Sequence, residues 1–162
     1  MNNQNWIYIV IPKHNVPKSY SERLKEKRVN LIDSIPLQGP LTVHIEPTNI
    51  CNFKCKFCPE SFDNYQEKAG GHFMLSPENF DRIVTELKTL PRLKQLNFFM
   101  MGEPFANKNI IKFVQKAVAE DLSYSYMMSS NGALLTEEKF QGICDSGLSY
   151  LRISIFGSNE QI

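Results

Sequence analysis

An α/β fold built from parallel strand-helix repeats is the architecture this sequence predicts, and three observations predict it. Short apolar or alternating runs recur along the chain, each followed by a polar turn and then by apolar residues at helical spacing. Two helix starts share one design: Ser76 or Thr136 as cap, with Leu75 or Leu135 before it and Phe80 or Phe140 after it. The chemistry-bearing residues fall just after the strand runs, the end at which parallel α/β domains bind ligands.

The elements follow in order. Residues 1–39 read as an N-terminal extension, in which Tyr20 to Ile32 mixes Lys, Arg and Glu around Leu24, Leu31 and Ile32 and predicts a solvated surface helix. Residues 40–162 read as the core domain. Leu41 to Glu46 alternates with β-branched residues and predicts a first strand, leading through Pro47-Thr48-Asn49 into a cysteine-bearing loop. A polar stretch from Glu60 to His72, with a Gly70-Gly71 hinge, reads equally as a lid or as a surface insertion. The first core helix begins at Ser76-Pro77, buries Phe80, Ile83, Val84, Leu87 and Leu90, and stops at Pro91. Leu93 to Met101 predicts the second strand, about Asn109 to Glu120 the second helix, and Tyr124 to Ser129 the third strand. A third helix starts at Thr136 and ends at Gly147, and Tyr150 to Phe156 predicts a fourth strand. Unpaired, that last strand would leave an open sheet edge.

Composition narrows the class without identifying a function. The chain has 162 residues, 42% hydrophobic and 22% charged, enough for one packed core. A net charge of +1 gives no electrostatic surface for nucleic acid or membrane, so neither is expected as a partner. The apolar run Trp6 to Ile11 is too short for a membrane span and lacks the flanks of a signal peptide. A cytoplasmic location follows as the expectation, and a reducing compartment suits free thiols.

The densest signal is Cys51-Asn52-Phe53-Lys54-Cys55-Lys56-Phe57-Cys58-Pro59. Thiolates are soft ligands that select iron-sulfur clusters, zinc or copper(I), and Cys51, Cys55 and Cys58 on one short loop form a three-thiolate cradle. A structural zinc site wants four protein ligands, and the remaining candidates, Cys144, His14, His44 and His72, are scattered singly. A zinc module using the three cysteines and His44 stays open as an alternative. Cys144, on the face of Phe140 and Ile143, reads as core. Lys54 and Lys56 either favour a more negative centre or simply face solvent.

This cysteine spacing, with Phe57 as the aromatic before the last cysteine, resembles the signature of the radical S-adenosylmethionine (radical SAM) enzymes. The resemblance continues in Met101-Gly102-Glu103-Pro104, similar to that family's Gly-Gly-Glu-Pro turn with Met101 for the first glycine. Ser129-Ser130-Asn131-Gly132 resembles the Thr-Asn-Gly turn after strand three, and Ile153-Ser154-Ile155-Phe156-Gly157 resembles the strand-four pattern, with Phe156 replacing an acid. The order, from Leu41 to Gln161, resembles especially the members that carry a C-terminal SPASM domain.

The resemblance implies a partial TIM-like radical SAM barrel, incomplete at about four of about six strand-helix units. It implies a 4Fe-4S cluster on Cys51, Cys55 and Cys58, with S-adenosylmethionine (SAM) chelated at the open iron. Glu103 is then expected to receive the SAM ammonium. Phe57, Ser130, Asn131 and Ser154 are expected to line the cofactor. The implied chemistry is one-electron cleavage of SAM to a 5′-deoxyadenosyl radical that abstracts hydrogen from an unknown substrate, fed by a low-potential donor such as flavodoxin or ferredoxin. The family's fifth strand, which completes its adenine pocket, has no counterpart here. The chain therefore reads as a fragment, a truncated gene product or one piece of a split protein completed by a C-terminal part or second chain. A non-catalytic cluster-binding remnant is the further alternative.

Overall fold

The computed structural model describes residues 5–10, 32 and 35–155. Strands β1 (Asn5–Val10), β2 (Thr42–His44), β3 (Gln95–Asn97), β4 (Tyr126–Ser130) and β5 (Tyr150–Ile155) form one sheet in the order β1-β5-β4-β3-β2. The last four run parallel, with Val43 beside Leu96, Leu96 beside Tyr126 and Met128 beside Leu151. Helices α1 (Tyr65–Lys68), α2 (Pro77–Leu87), α3 (Ile110–Ala119) and α4 (Glu137–Asp145) lie in the connections. This is the expected α/β repeat, with four parallel strands alternating with helices as a partial barrel.

Local chemistry explains the helix boundaries. Ser76 Oγ accepts the Asn79 N–H at 3.2 Å, and Pro77 opens α2 where its missing N–H costs nothing. Thr136 Oγ1 accepts the Lys139 N–H at 3.3 Å in the same role for α4. Gly147, at φ +85°, then takes the left-handed turn out of α4, and an added Cβ there would meet Val118 Cγ1 at 2.8 Å.

The two faces of the sheet differ in chemistry. Leu96, Phe98, Met128 and Leu151 turn toward the helices and pack with Phe80, Val84, Phe113, Val114, Ala117 and Ile143 into one core. At its centre Phe80 stacks on Phe113, with ring centroids 4.4 Å apart, and tilts against Phe98 at 6.3 Å. Cys144 is partly buried against this core. The opposite face is polar: Gln95 Nε2 donates to Asn97 Oδ1 at 2.8 Å, and Asn97 Nδ2 lies 3.1 Å from His44 Nε2. Arg152 Nε donates to Ser129 Oγ at 3.0 Å, and its guanidinium lies 5.1 Å from the Phe99 ring centroid.

Two sequence expectations change. The fourth predicted strand does not end in an open edge, because β1 pairs antiparallel along the whole of β5, from Asn5 opposite Ile155 to Val10 opposite Tyr150. The apolar run near the N-terminus thus contributes a strand, a pairing that local periodicity cannot reveal because its partner lies at the other end of the chain. The strands at Leu41 to Glu46 and Leu93 to Met101 are also shorter as ladders, Thr42–His44 and Gln95–Asn97, and after the Phe98 N–H donates to the Met127 carbonyl the chain turns toward Gly102. Most of the predicted helix from Tyr20 to Ile32, and Phe156, lie outside the described residues. Among the described residues no helix is long and apolar enough to cross a membrane.

The core makes a direct prediction. Phe80→Ala removes a fully buried ring from the contact of α2, α3 and β3, and should lower unfolding free energy by about 3–5 kcal/mol. Urea denaturation with an unchanged m-value would register this as a lower midpoint.

Candidate metal and cofactor site

Four strand ends converge on one cavity of about 250 Å³. Its lining includes Cys51, Cys55 and Cys58 from the loop after β2, Met101, Gly102 and Glu103 after β3, Ser130 and Asn131 at the end of β4, and Arg152 and Ser154 on β5. Phe57 and Phe53 form part of its rim, Phe57 being 63% exposed. Every residue the sequence singled out for cluster or cofactor therefore borders the same space. Alternation along β5 explains the last two: Leu151 is buried in the core while Arg152 and Ser154 border the cavity.

Glu103 is the best-tethered group in the cavity wall. It is 2% exposed, and its Oε1 accepts the Phe105 N–H at 3.1 Å and the Ser130 hydroxyl at 2.7 Å. Its Oε2 accepts the Asn131 N–H at 2.8 Å. Three donors satisfy a buried carboxylate while leaving acceptor capacity for one more. Ser130 Oγ accepts the Gly132 N–H at 2.9 Å in turn, so Ser130 bridges the turn to Glu103. Asn131 reaches across to the cysteine loop, with Nδ2 donating to Asn52 Oδ1 at 2.9 Å and lying 3.9 Å from Cys51 Sγ.

Two supports of this wall were not singled out from sequence. Glu46 Oε1 accepts the backbone N–H groups of Met101 and Gly102 at 2.7 and 3.3 Å, fixing the turn that presents Glu103. Its signal was an acid at the end of a strand, just before proline, which by itself reads as an ordinary turn. Asn49 clamps the stretch after α1, donating through Nδ2 to the Gly71 carbonyl and accepting the Phe73 N–H, both at 2.8 Å. Thr48 Oγ1 donates to the Phe73 carbonyl at 2.6 Å. The segment with the Gly70-Gly71 hinge is thus pinned to the end of β2, and both glycines have positive φ. Arg152 was also missed, although it is the one cation in its strand and alternates with the buried Leu151.

The donor set fits a cluster. In a 4Fe-4S centre each thiolate binds a different iron, so three sulfurs need only border one space. A single zinc ion requires all of its ligands to meet at one point, with Zn–S about 2.3 Å. Among the described residues no three His, Cys, Asp or Glu side chains converge in that way. His44, the zinc alternative's fourth ligand, instead sets its ring edge-on to Phe99 at 5.3 Å between centroids, with Nε2 beside Asn97. Burial pushes the Cys51 thiol above its ordinary range, opposed by the Phe53 backbone N–H and reinforced by Glu103 and the neighbouring thiols. A metal that binds Cys51 must displace that proton.

Comparison with known proteins follows the same residues. A family model described as the radical SAM superfamily matches residues 45–162. PqqA peptide cyclase of Rhodopseudomonas palustris is 32% identical over 123 residues, 76% of this chain and 30% of that protein. The S-adenosyl-L-methionine-dependent 2-deoxy-scyllo-inosamine dehydrogenase of Niallia circulans is 24% identical over 106 residues, 65% of this chain and 41% of that protein. The crystal structure of BtrN in complex with AdoMet and 2-DOIA superposes with a TM-score of 0.59 at 23% identity, covering 67% of this chain and 43% of BtrN. That likeness bears on the fold. The chain spans 30% of the length of the peptide cyclases it matches.

Gly102 gives the sharpest test of the wall. A Cβ built on it would lie 2.0 Å from the Thr48 carbonyl oxygen and 2.9 Å from the Asn49 carbonyl carbon, both backbone atoms that no rotamer change can move. Gly102→Ala should therefore displace the turn carrying Glu103 from the cysteine loop. Iron and sulfide uptake on anaerobic reconstitution should fall to less than half of the parent value, and parent-like uptake would show that the turn tolerates the added methyl group.

Proposed function

The chain belongs to the radical SAM superfamily, and we propose that its cavity holds a 4Fe-4S cluster and SAM and serves hydrogen abstraction from a substrate. The observation that carries this reading is the shared cavity wall, in which three cysteines and a buried glutamate held by three donors border one space. When bound, the cluster and SAM supply one-electron cleavage that yields a 5′-deoxyadenosyl radical.

The chain's own residues have distinct tasks in this proposal. Cys51, Cys55 and Cys58 hold three irons. Glu103 offers its remaining acceptor capacity to the SAM ammonium, a charge-assisted contact strengthened by low local solvent. Ser130 and Asn131 keep that carboxylate aimed, and Asn131 also ties the turn to the cysteine loop. Ser154, beside Arg152 on β5, offers a hydroxyl at the far wall, and Phe57 borders the cofactor from the rim on the cysteine side. The substrate approaches along the polar face that carries Gln95, Asn97, His44 and Arg152. A low-potential donor of the flavodoxin or ferredoxin kind supplies the electron.

Anaerobic reconstitution tests the reading directly. The parent chain should take up iron and sulfide and form 5′-deoxyadenosine from SAM under dithionite. Replacing any of Cys51, Cys55 or Cys58 by Ala should abolish both. Glu103→Gln should retain the cluster but bind SAM roughly 10- to 100-fold more weakly, since the lost charge-assisted bond is worth about 1.5–3 kcal/mol. Colourless protein containing stoichiometric zinc would overturn the proposal.

A further inference from the structure

Lys54 lies between the first and second cysteines, and its ammonium is directed at Glu60. Its Nζ donates to the Glu60 carbonyl at 2.7 Å and to Glu60 Oε2 at 3.0 Å. The Glu60 side chain is 1% exposed, whereas that of Lys54 is 59% exposed. The other carboxylate oxygen, Oε1, accepts from Gln66 Nε2 at 2.7 Å, and the same amide nitrogen lies 3.3 Å from the Asn49 carbonyl. These bonds form a circuit. The link from Lys54 to Glu60 encloses Cys55 and Cys58, and the link from Glu60 through Gln66 to Asn49 returns to the residue two before Cys51.

The start of the loop is held from outside by Asn131 on Asn52 and by the Glu103 N–H on the Ile50 carbonyl, and its end by the Ser61 hydroxyl, which donates to the Cys58 carbonyl at 2.7 Å. Within it the backbone makes single turns, Cys58 N–H to the Cys55 carbonyl at 2.9 Å and Ser61 N–H to the Cys58 carbonyl at 3.0 Å. No bond joins the three free thiols to one another, so a loop that must present them together needs a restraint across its middle from outside the sulfurs. We infer that the Lys54–Glu60 pair is that restraint: Lys54 is a positioning residue for the cysteine cradle, acting through the loop's geometry and not through its charge on the cluster. The inference rests on the cluster reading above. It replaces the expectation that the lysine favours a negative centre, because the Lys54 charge is already compensated by Glu60.

The pair is asymmetric, and this makes it testable. Lys54→Met leaves a carboxylate buried without its cation, the costly way to break such a pair. Glu60→Gln leaves an ammonium that can turn into water. Anaerobically reconstituted parent and variants would be compared for the rate of iron loss to a chelator and for midpoint potential, with circular dichroism of each metal-free chain. Lys54→Met should lose iron roughly tenfold faster than the parent, a discount for the exposed lysine on the full penalty of a broken buried pair. Glu60→Gln should have a smaller effect, and adding it to Lys54→Met should slow the loss again. Lys54→Arg, which keeps charge and donors, should approach the parent rate. Midpoint potentials should stay together.

Parent-like iron retention in Lys54→Met, with a lowered potential, would overturn the inference in favour of a charge effect and leave the cluster reading intact. Additive effects of the two substitutions would overturn it equally. Should Lys54→Met lose its fold, Glu60→Gln and Lys54→Arg decide, and identical retention in the first with rapid loss in the second would count against the brace. A parent chain that takes up no iron would overturn the cluster reading and this inference together.

Discussion

The buried carboxylate of Glu103 is the interaction on which the cavity depends. Sheet hydrogen bonds bring β3 and β4 side by side but stop short of the loops that follow them. Beyond that point the two turns are joined by the Ser130 hydroxyl and the Asn131 N–H, both donated to Glu103. The carboxylate in turn reaches the cysteine loop because the Glu103 N–H donates to the Ile50 carbonyl at 2.9 Å and because Gly102 lets the two backbones touch. A buried charge is costly unless hydrogen-bonded. Here its requirement for donors draws three separate loops into one wall.

The division of labour between the two sheet faces follows from the period of two along each strand. One set of alternating residues, Leu96, Phe98, Met128 and Leu151, supplies the contacts that hold the helices. The other set, Asn97, Phe99, Ser129 and Arg152, is free to carry chemistry at little cost to the core. The polar residues on that second face satisfy one another across strands, as in Asn97 with His44 and Arg152 with Ser129. Mutual hydrogen bonding allows such a face to stay polar without destabilising the sheet.

Much of this was legible in the sequence, for identifiable reasons. Caps at Ser76 and Thr136, the glycine exit at Gly147 and the apolar face of α2 are local signals, decided within a few residues. The cysteines were legible because a metal centre requires thiolates at close spacing, and the Gly102-Glu103 turn through its resemblance to a family motif. What escaped depended on contacts distant in sequence. Glu46 matters because the amides of Met101 and Gly102 arrive beside it, and Asn49 because Gly71 and Phe73 do. The Lys54–Glu60 pair is near in sequence, but its meaning comes from the burial of Glu60, which its place at the start of a largely polar stretch did not suggest.

The antiparallel strand β1 has a consequence for the order of assembly. Strands β2 to β5 can add one after another, each from a neighbouring strand-helix unit with a modest loop to close. Strand β1 must instead wait for β5, the latest of the described strands in chain order, across about 140 residues. Such a long-range pairing carries a greater loop-closure entropy before any contact rewards it. Until β1 arrives, β5 presents free N–H and C=O groups to any extended segment nearby. Of the described strands, the one made earliest is therefore the protector of the one at the far end of the sheet's sequence order, and a vulnerable interval in folding is the time between the two.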